Sequence, residues 1–198
     1  YNPASQIASL ARSNDAYAWT GYYNVNRAYT TNGLNQYTAS GAVSLGYDAR
    51  GNLATSGTTT YAYNGFNQLT AVSGGPSASI AYDPADRLYQ LTSAGVTTRY
   101  LYNGAMMIGE YNGSNALLRR FIPGPGTDEP IVWYEGTGNS DRRWLQADER
   151  GSIVSVTDAS GSAIATNSYD EHGIPLSTNQ GRYQYTGQIW LGEVGLYY

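Results

Sequence analysis

Tyr47-Asp48-Ala49-Arg50-Gly51-Asn52-Leu53 is the stretch from which the fold can be read. It has the form of a strand end, a tight turn and a strand start. An Asp side chain can accept hydrogen bonds from backbone N–H groups just ahead of it, which stabilises a turn. Gly takes a positive φ there without a Cβ clash. Leu53 then restarts the inward-facing apolar pattern.

The unit recurs as Tyr63-Asn64-Gly65-Phe66-Asn67-Gln68-Leu69 and as Tyr82-Asp83-Pro84-Ala85-Asp86-Arg87-Leu88. Looser copies stand at Tyr1-Asn2-Pro3, Tyr23-Asn24, Tyr102-Asn103-Gly104 and Tyr169-Asp170-Glu171-His172-Gly173. A second self-similarity supports a true repeat. Gly33-Leu34-Asn35-Gln36-Tyr37-Thr38-Ala39 returns as Gly65-Phe66-Asn67-Gln68-Leu69-Thr70-Ala71, with five of seven positions identical. The anchors at 47, 63, 82 and 102 lie 16, 19 and 20 residues apart, room for two strands and two turns.

Between anchors the pattern alternates, as in Thr58-Thr59-Thr60-Tyr61-Ala62-Tyr63 and Thr97-Thr98-Arg99-Tyr100-Leu101-Tyr102. No segment sustains helical periodicity. The expected fold is therefore all-β: antiparallel hairpin repeats stacked into a wide curved or spiralling sheet. Asn64-Gly65, Asn103-Gly104 and Asn112-Gly113 have the form of two-residue hairpin dipeptides. Near the start, Asn2-Pro3 and Asn14-Asp15 are expected turns around a short strand at Gln6–Leu10.

Pro123-Gly124-Pro125-Gly126 and Asp128-Glu129-Pro130 break the rhythm and predict a loop before a strand at Ile131–Tyr134. Beyond it, Asp148-Glu149-Arg150-Gly151 and Asp158-Ala159-Ser160-Gly161 are turns around the strand Ser152–Thr157. The structural turn residues expected from this reading are Tyr47, Asp48 and Gly51, then Tyr63, Asn64 and Gly65, then Tyr82 and Asp83. Tyr102, Asn103 and Gly104 follow, then Asp148, Gly151, Asp158 and Gly161, then Tyr169, Asp170 and Gly173.

Composition narrows the function classes. The chain has 198 residues, enough for one domain with a real core. Charged residues make up 13%, about half the usual share. Tyr contributes 20 residues and Gly 24, and all 11 cations are Arg. The net charge of −4 gives no overall footprint for nucleic acid. Arg119-Arg120 and Arg142-Arg143, the only cation doublets, read as solvated strand or turn positions. Without Cys there is neither a disulfide framework nor a thiolate metal site. No apolar run approaches the ~20 residues that span a bilayer as a helix. Position 1 is Tyr, which suggests a piece of a longer polypeptide.

The later segments carry a family resemblance. Asp148-Glu149-Arg150-Gly151-Ser152-Ile153-Val154-Ser155-Val156-Thr157-Asp158 resembles the associated core of the RHS/YD-repeat family. Tyr183-Gln184-Tyr185-Thr186-Gly187 and Gly195-Leu196-Tyr197-Tyr198 resemble that core's closing elements, and Tyr47–Leu53 resembles its repeats. The resemblance implies a division into degenerate repeats over 1–141 and a core-like segment over 142–198. It also implies a non-catalytic wall of a hollow shell that encapsulates and helps deliver a C-terminal toxin, in a secreted or cell-surface bacterial protein. Family cores continue to a plug bearing autoprotease motifs, and this sequence is expected to end before it. Asp83-Pro84 lies in a repeat turn and is not that motif.

No catalytic, cofactor or metal residues are expected. Asp128-Glu129, Asp148-Glu149 and Asp170-Glu171 are sequence neighbours, which a strand sends to opposite faces. His172 is the sole histidine, and no Gly-x-Ser-x-Gly elbow accompanies it. Zinc would need more ligands, and the Asp148 and Asp158 turns lack the carboxylate ladder of a calcium loop. Asn112-Gly113-Ser114 matches a glycosylation acceptor, a short motif common by chance. The aromatic surface leaves two readings, cross-strand ladder or sugar-binding face, and strand-end placement favours the ladder. The expected partners are the remainder of the polypeptide, a possible enclosed toxin, or further copies through open strand edges. A fibre subunit and an adhesion or glycan-binding module stand as alternatives.

Overall fold

The computed structural model describes residues 13–14, 19–170 and 172–198. The expected turn at Asn2-Pro3, the strand at Gln6–Leu10, Asp15 and Glu171 lie outside the described residues.

Fifteen strands form one antiparallel sheet in which sequence order equals spatial order. They begin with β1 (Tyr29–Thr31), β2 (Tyr37–Ser40), β3 (Val43–Tyr47), β4 (Leu53–Ser56) and β5 (Thr59–Tyr63). Then come β6 (Leu69–Ser73), β7 (Ala78–Tyr82), β8 (Leu88–Ser93), β9 (Val96–Asn103) and β10 (Met106–Asn112). The sheet ends with β11 (Leu117–Pro123), β12 (Pro130–Glu135), β13 (Arg142–Ala147), β14 (Ile153–Thr157) and β15 (Ala163–Thr166). A two-stranded ribbon of β16 (Trp190–Leu191) and β17 (Leu196–Tyr197) follows. The sheet passes residue 141 without a break, since β12 pairs with β13.

One kind of turn closes half of the connections in the sheet. At Asp48, Oδ1 accepts the N–H of Arg50 at 2.8 Å and of Asn52 at 2.9 Å. Among the described residues, Asn32, Asn64, Asp83, Asn112, Asp148, Asp158 and Asp170 bind the N–H groups two and four residues ahead in the same way. The residue three ahead takes a positive φ in every case: Asn35, Gly51, Asn67, Asp86, Asn115, Gly151, Gly161 and Gly173. Gly does so freely, and Asn and Asp are the residues that tolerate it best otherwise.

This geometry corrects the dipeptide reading. Gly65 and Gly113 are not at positive φ; Asn67 and Asn115 are, at 61° each. The connections there are five residues (64–68) and four residues (113–116) long, with the Asn side-chain oxygen organising a longer loop in place of a two-residue turn. Asn103-Gly104 differs again. Asn103 remains in β9 opposite Met106, and Gly104-Ala105 makes a two-residue turn with Gly104 at φ 60°. Asn103 therefore caps no Asx turn. Tyr23-Asn24 forms no turn; the Tyr23 N–H bonds the Tyr169 carbonyl instead.

The repeat tyrosines complete the unit. β2 pairs with β3, β4 with β5, and β6 with β7 only near the end away from the Asx turns. Neighbouring hairpins therefore splay at the turn end and leave a carbonyl without a ladder partner. A tyrosine hydroxyl fills each gap: Tyr47 donates to the Tyr37 carbonyl, Tyr63 to Leu53 and Tyr82 to Leu69. Tyr169 donates likewise to Ile153, and Tyr183 to Met107. Buried backbone carbonyls need such partners. These hydroxyls serve the sheet itself, in keeping with the ladder reading of the aromatics.

Strand register puts the core on one face. Directly opposed residues share a face, and the rows join Tyr61 to Val72 and Ala78, Ile80 to Leu91, Phe121 to Trp133, and Leu145 to Val156. The segment after β15 returns over this face. Tyr183, Ile189, Leu191 and Val194 pack into the same core, with the Tyr183 ring edge-on to Phe121. Gly187, at φ 75°, is seated against the Asp128 backbone where a Cβ would have no room.

Two substitutions at Asn64 separate the acceptor from the side chain's shape. Asn64→Ala strands two backbone N–H groups and lowers unfolding free energy by about 1–3 kcal/mol in urea melts. Asn64→Asp, which keeps the acceptor, stays close to wild type.

Candidate functional site

The apolar face is interrupted by a row of charge. Glu110 on β10 lies opposite Arg119 on β11, and Arg119 lies opposite Glu135 on β12. Register thus lays an acid, a base and an acid side by side. Glu110 is fully buried. Its Oε2 accepts from Arg119 Nη1 at 3.0 Å, and Arg119 reaches Glu135 at 3.2 Å. The indole Nε1 of Trp133 donates to Glu135 at 2.8 Å.

The returning segment extends the row. Arg182 Nε donates to Glu110 Oε1 at 2.7 Å, while its Nη1 and Nη2 grip both oxygens of Glu193 at 2.9 and 3.0 Å. Arg182 Nη1 also donates to the Trp190 carbonyl at 3.0 Å. The chain Glu135–Arg119–Glu110–Arg182–Glu193 therefore clamps the returning segment to three strands of the sheet. Asn167 adds a second clamp, exchanging hydrogen bonds with the backbone of Gln180.

The electrostatics fit a clamp. Burial pushes the Glu193 carboxyl up, but the hydrogen bonds and charge of Arg182 outweigh it and hold it below the usual range. Burial opposes the Arg182 charge, and Glu193 and Glu110 more than restore it. Neither group is poised to exchange a proton near neutral pH. Beside the network opens a cleft of about 470 Å³, lined by Trp133, Leu176, Gln180, Arg182, Trp190 and Glu193 among others.

The acids singled out by sequence do not converge. Asp128 and Glu129 sit in the β11–β12 loop, where Glu129 accepts the Gly126 N–H. Asp148 and Asp170 spend Oδ1 on their turns; Asp170, fully buried, also meets Arg27 at 3.3 Å. His172 is exposed and edge-on to Tyr29, with ring centroids 5.2 Å apart. Among the described residues, no group of three His, Cys, Asp or Glu side chains could hold a metal ion.

The network itself escaped the sequence reading. Arg119 is not a solvated doublet member, because two carboxylates hold it against the core face. Arg143 stacks over the Trp133 ring at 4.1 Å and pairs with Asp141 at 2.8 Å. Strand alternation hid Glu110: counting by twos from the core residue Met107 sends it to the opposite face, and a register shift between Met107 and Gly109 returns it to the core side. Its partners, from residues 119 to 193, had no local mark either.

No family model matches the chain. It is 29% identical to the tRNA3(Ser)-specific nuclease WapA of Bacillus spizizenii over 177 residues, 83% of this chain and 7% of that protein. It is equally similar to the tRNA nuclease WapA of Bacillus subtilis strain 168, 29% identical over the same shares. The chain thus spans 7% of the length of these relatives. In three dimensions it resembles the Photorhabdus luminescens Tc holotoxin pore, with a TM-score of 0.59 and 17% identity, over 87% of this chain and 11% of that one. A TcdB2–TccC3 structure without its hypervariable C-terminal region superposes with a TM-score of 0.56 at 17% identity and the same coverage. The chain has the RHS/YD-repeat fold.

Two outcomes follow from the clamp. Arg182→Ala leaves Glu110 and Glu193 short of a partner and costs about 3–5 kcal/mol of unfolding free energy. The depressed Glu193 carboxyl contributes stability that is complete above its unfolded pKa of about 4.3. That contribution is lost as pH falls through the lower folded value. Melting in acid should therefore steepen below about pH 4, and Glu193→Gln should flatten that slope.

Proposed function

We propose that this chain is a non-catalytic wall segment of an RHS/YD-repeat shell, whose parent polypeptide encloses a C-terminal toxin and helps deliver it. The observation that carries the reading is the unbroken fifteen-strand meander, with the returning segment packed into the core on one face of its later strands. Each hairpin adds to the next without a crossover, so the sheet can lengthen without limit, as a wall must. The charge row and the tyrosine wedges fix the sheet's shape rather than present reactive groups.

The comparisons support a toxin setting. The WapA relatives are named as tRNA nucleases, and the superposed structures are of Tc toxin assemblies. In this reading the nuclease activity of such a parent resides outside these residues, and the wall isolates it. Residues 1–141 supply repeats, and residues 142–198 form the core-like end that folds back and locks the preceding strands. The protein acts outside the bacterial cell or at its surface.

A second reading rests on the edges. Among the described residues β1 and β15 each pair on one side only, and the turn tips Leu34 and Phe66 are 80% and 83% exposed. Open edges template strand addition, so a chain alone would stack into fibres through them.

One experiment separates the two. The full parent polypeptide, carrying its C-terminal domain, is treated with protease under native conditions. A shell protects the C-terminal domain until the wall is breached, and Arg182→Ala accelerates its digestion. Immediate cleavage of that domain at the rate of an isolated domain, or recovery of the material as filaments, would overturn the shell reading.

A further inference from the structure

The two arginine doublets do more than the clamp uses. Alternation sends sequence neighbours to opposite faces of a strand. Arg119 and Arg143 face the core, so Arg120 and Arg142 face the other way. Register places them in one row: Arg120 lies opposite Tyr134, and Tyr134 lies opposite Arg142. Two strand spacings put the arginine positions roughly 10 Å apart with a phenol ring between them. Arg120 stacks over Tyr134 at 5.1 Å, and Arg142 stacks over Trp144 at 4.9 Å.

The two faces differ in charge balance. On the core face the arginines meet Glu110, Glu135 and Asp141. On the opposite face neither arginine has a carboxylate among the described residues. Arg120 donates to the Gly138 carbonyl and Asn139 Oδ1 in the β12–β13 loop. Arg142 makes no hydrogen bond or ion pair to the described residues, and the buried Nε atoms of both arginines meet no acceptor there.

We propose that Arg120, Tyr134, Arg142 and Trp144 form a docking platform for an acidic peptide segment of a partner protein. Stacked guanidinium groups present rigid forks that match carboxylates two bonds at a time. Arg, Tyr and Trp are also the residues that dominate binding energy at protein interfaces. Charge decides the class of partner. The chain carries a net charge of −4, so a long polyanion that overruns the platform meets an opposing field. A segment with two or three carboxylates meets the arginines alone, since screening confines its field to about 10 Å.

The test is a titration of the full chain with a fluorescein-labelled alternating Glu-Gly peptide at low salt. Saturable binding is expected, weakened about tenfold or more by Arg142→Gln, the loss of one charge-assisted pair. Arg142→Lys keeps the charge but loses the fork and also weakens binding. Arg50→Gln, the same change in net charge far along the sheet, leaves affinity unchanged. Beyond its stacking on Trp144, Arg142 holds no group among the described residues, so thermal melting of Arg142→Gln should stay close to wild type; Trp144→Phe provides a second, conservative route to the same loss. No saturable binding, or an equal loss in Arg50→Gln, overturns the proposal. So does tighter binding of a single-stranded oligonucleotide or of anionic vesicles that Arg142→Gln abolishes.

Discussion

The structure depends on one interaction: a single side-chain oxygen that accepts two backbone N–H groups. At eight Asp or Asn residues among the described residues, that oxygen holds the next four residues in a fixed loop, as at Asp48 and Asn64. The geometry then obliges the third residue after the Asp or Asn to take a positive φ, which Gly51 does freely and Asn67 at modest cost. Beside such turns the strand register shifts by one residue, as between Gly46 and Tyr47 or Ala62 and Tyr63. A shift of this kind bends and twists the strand that bears it. Repeated along the chain, the same local rule yields a sheet of regular shape.

A sheet built in this way has two problems, and different residues solve each. Splayed hairpins leave carbonyls unpaired, which explains why a tyrosine, with a long rigid ring and a donor at its tip, precedes the turn in the repeats. The apolar face, for its part, needs a cover. The returning segment supplies it through Tyr183, Ile189 and Leu191, and the Arg182 clamp fixes its register. Buried ion pairs add little net stability compared with apolar packing. Their value here is placement: only one seating of the segment satisfies Glu110, fully buried, and Glu193 together.

What was legible in the sequence follows from range. The all-β class and the turns at Asp48, Asp83, Asp148 and Asp158 rest on contacts within four residues, and strand alternation lies in plain view. Asn64-Gly65 misled because a strong dipeptide signal for a two-residue turn competes with the Asx oxygen, and the latter satisfies more N–H groups. The arginine doublets misled for a different reason. Whether Arg119 is solvated depends on Glu110 and Glu135, brought alongside by register, and nothing near residue 119 states that register. Arg182 and Glu193 are more distant still. The clamp exists only after the sheet has formed and the chain has doubled back across it.

The most direct measurement is electron cryomicroscopy of the full parent polypeptide at a resolution that traces strands. The account predicts a hollow particle in which β1 and β15 each continue into further strands, with the Arg182–Glu110 face turned inward and density for a separate domain inside. A particle without an enclosed volume, or one whose sheet ends at β1 and β15 with the C-terminal domain outside, would contradict it.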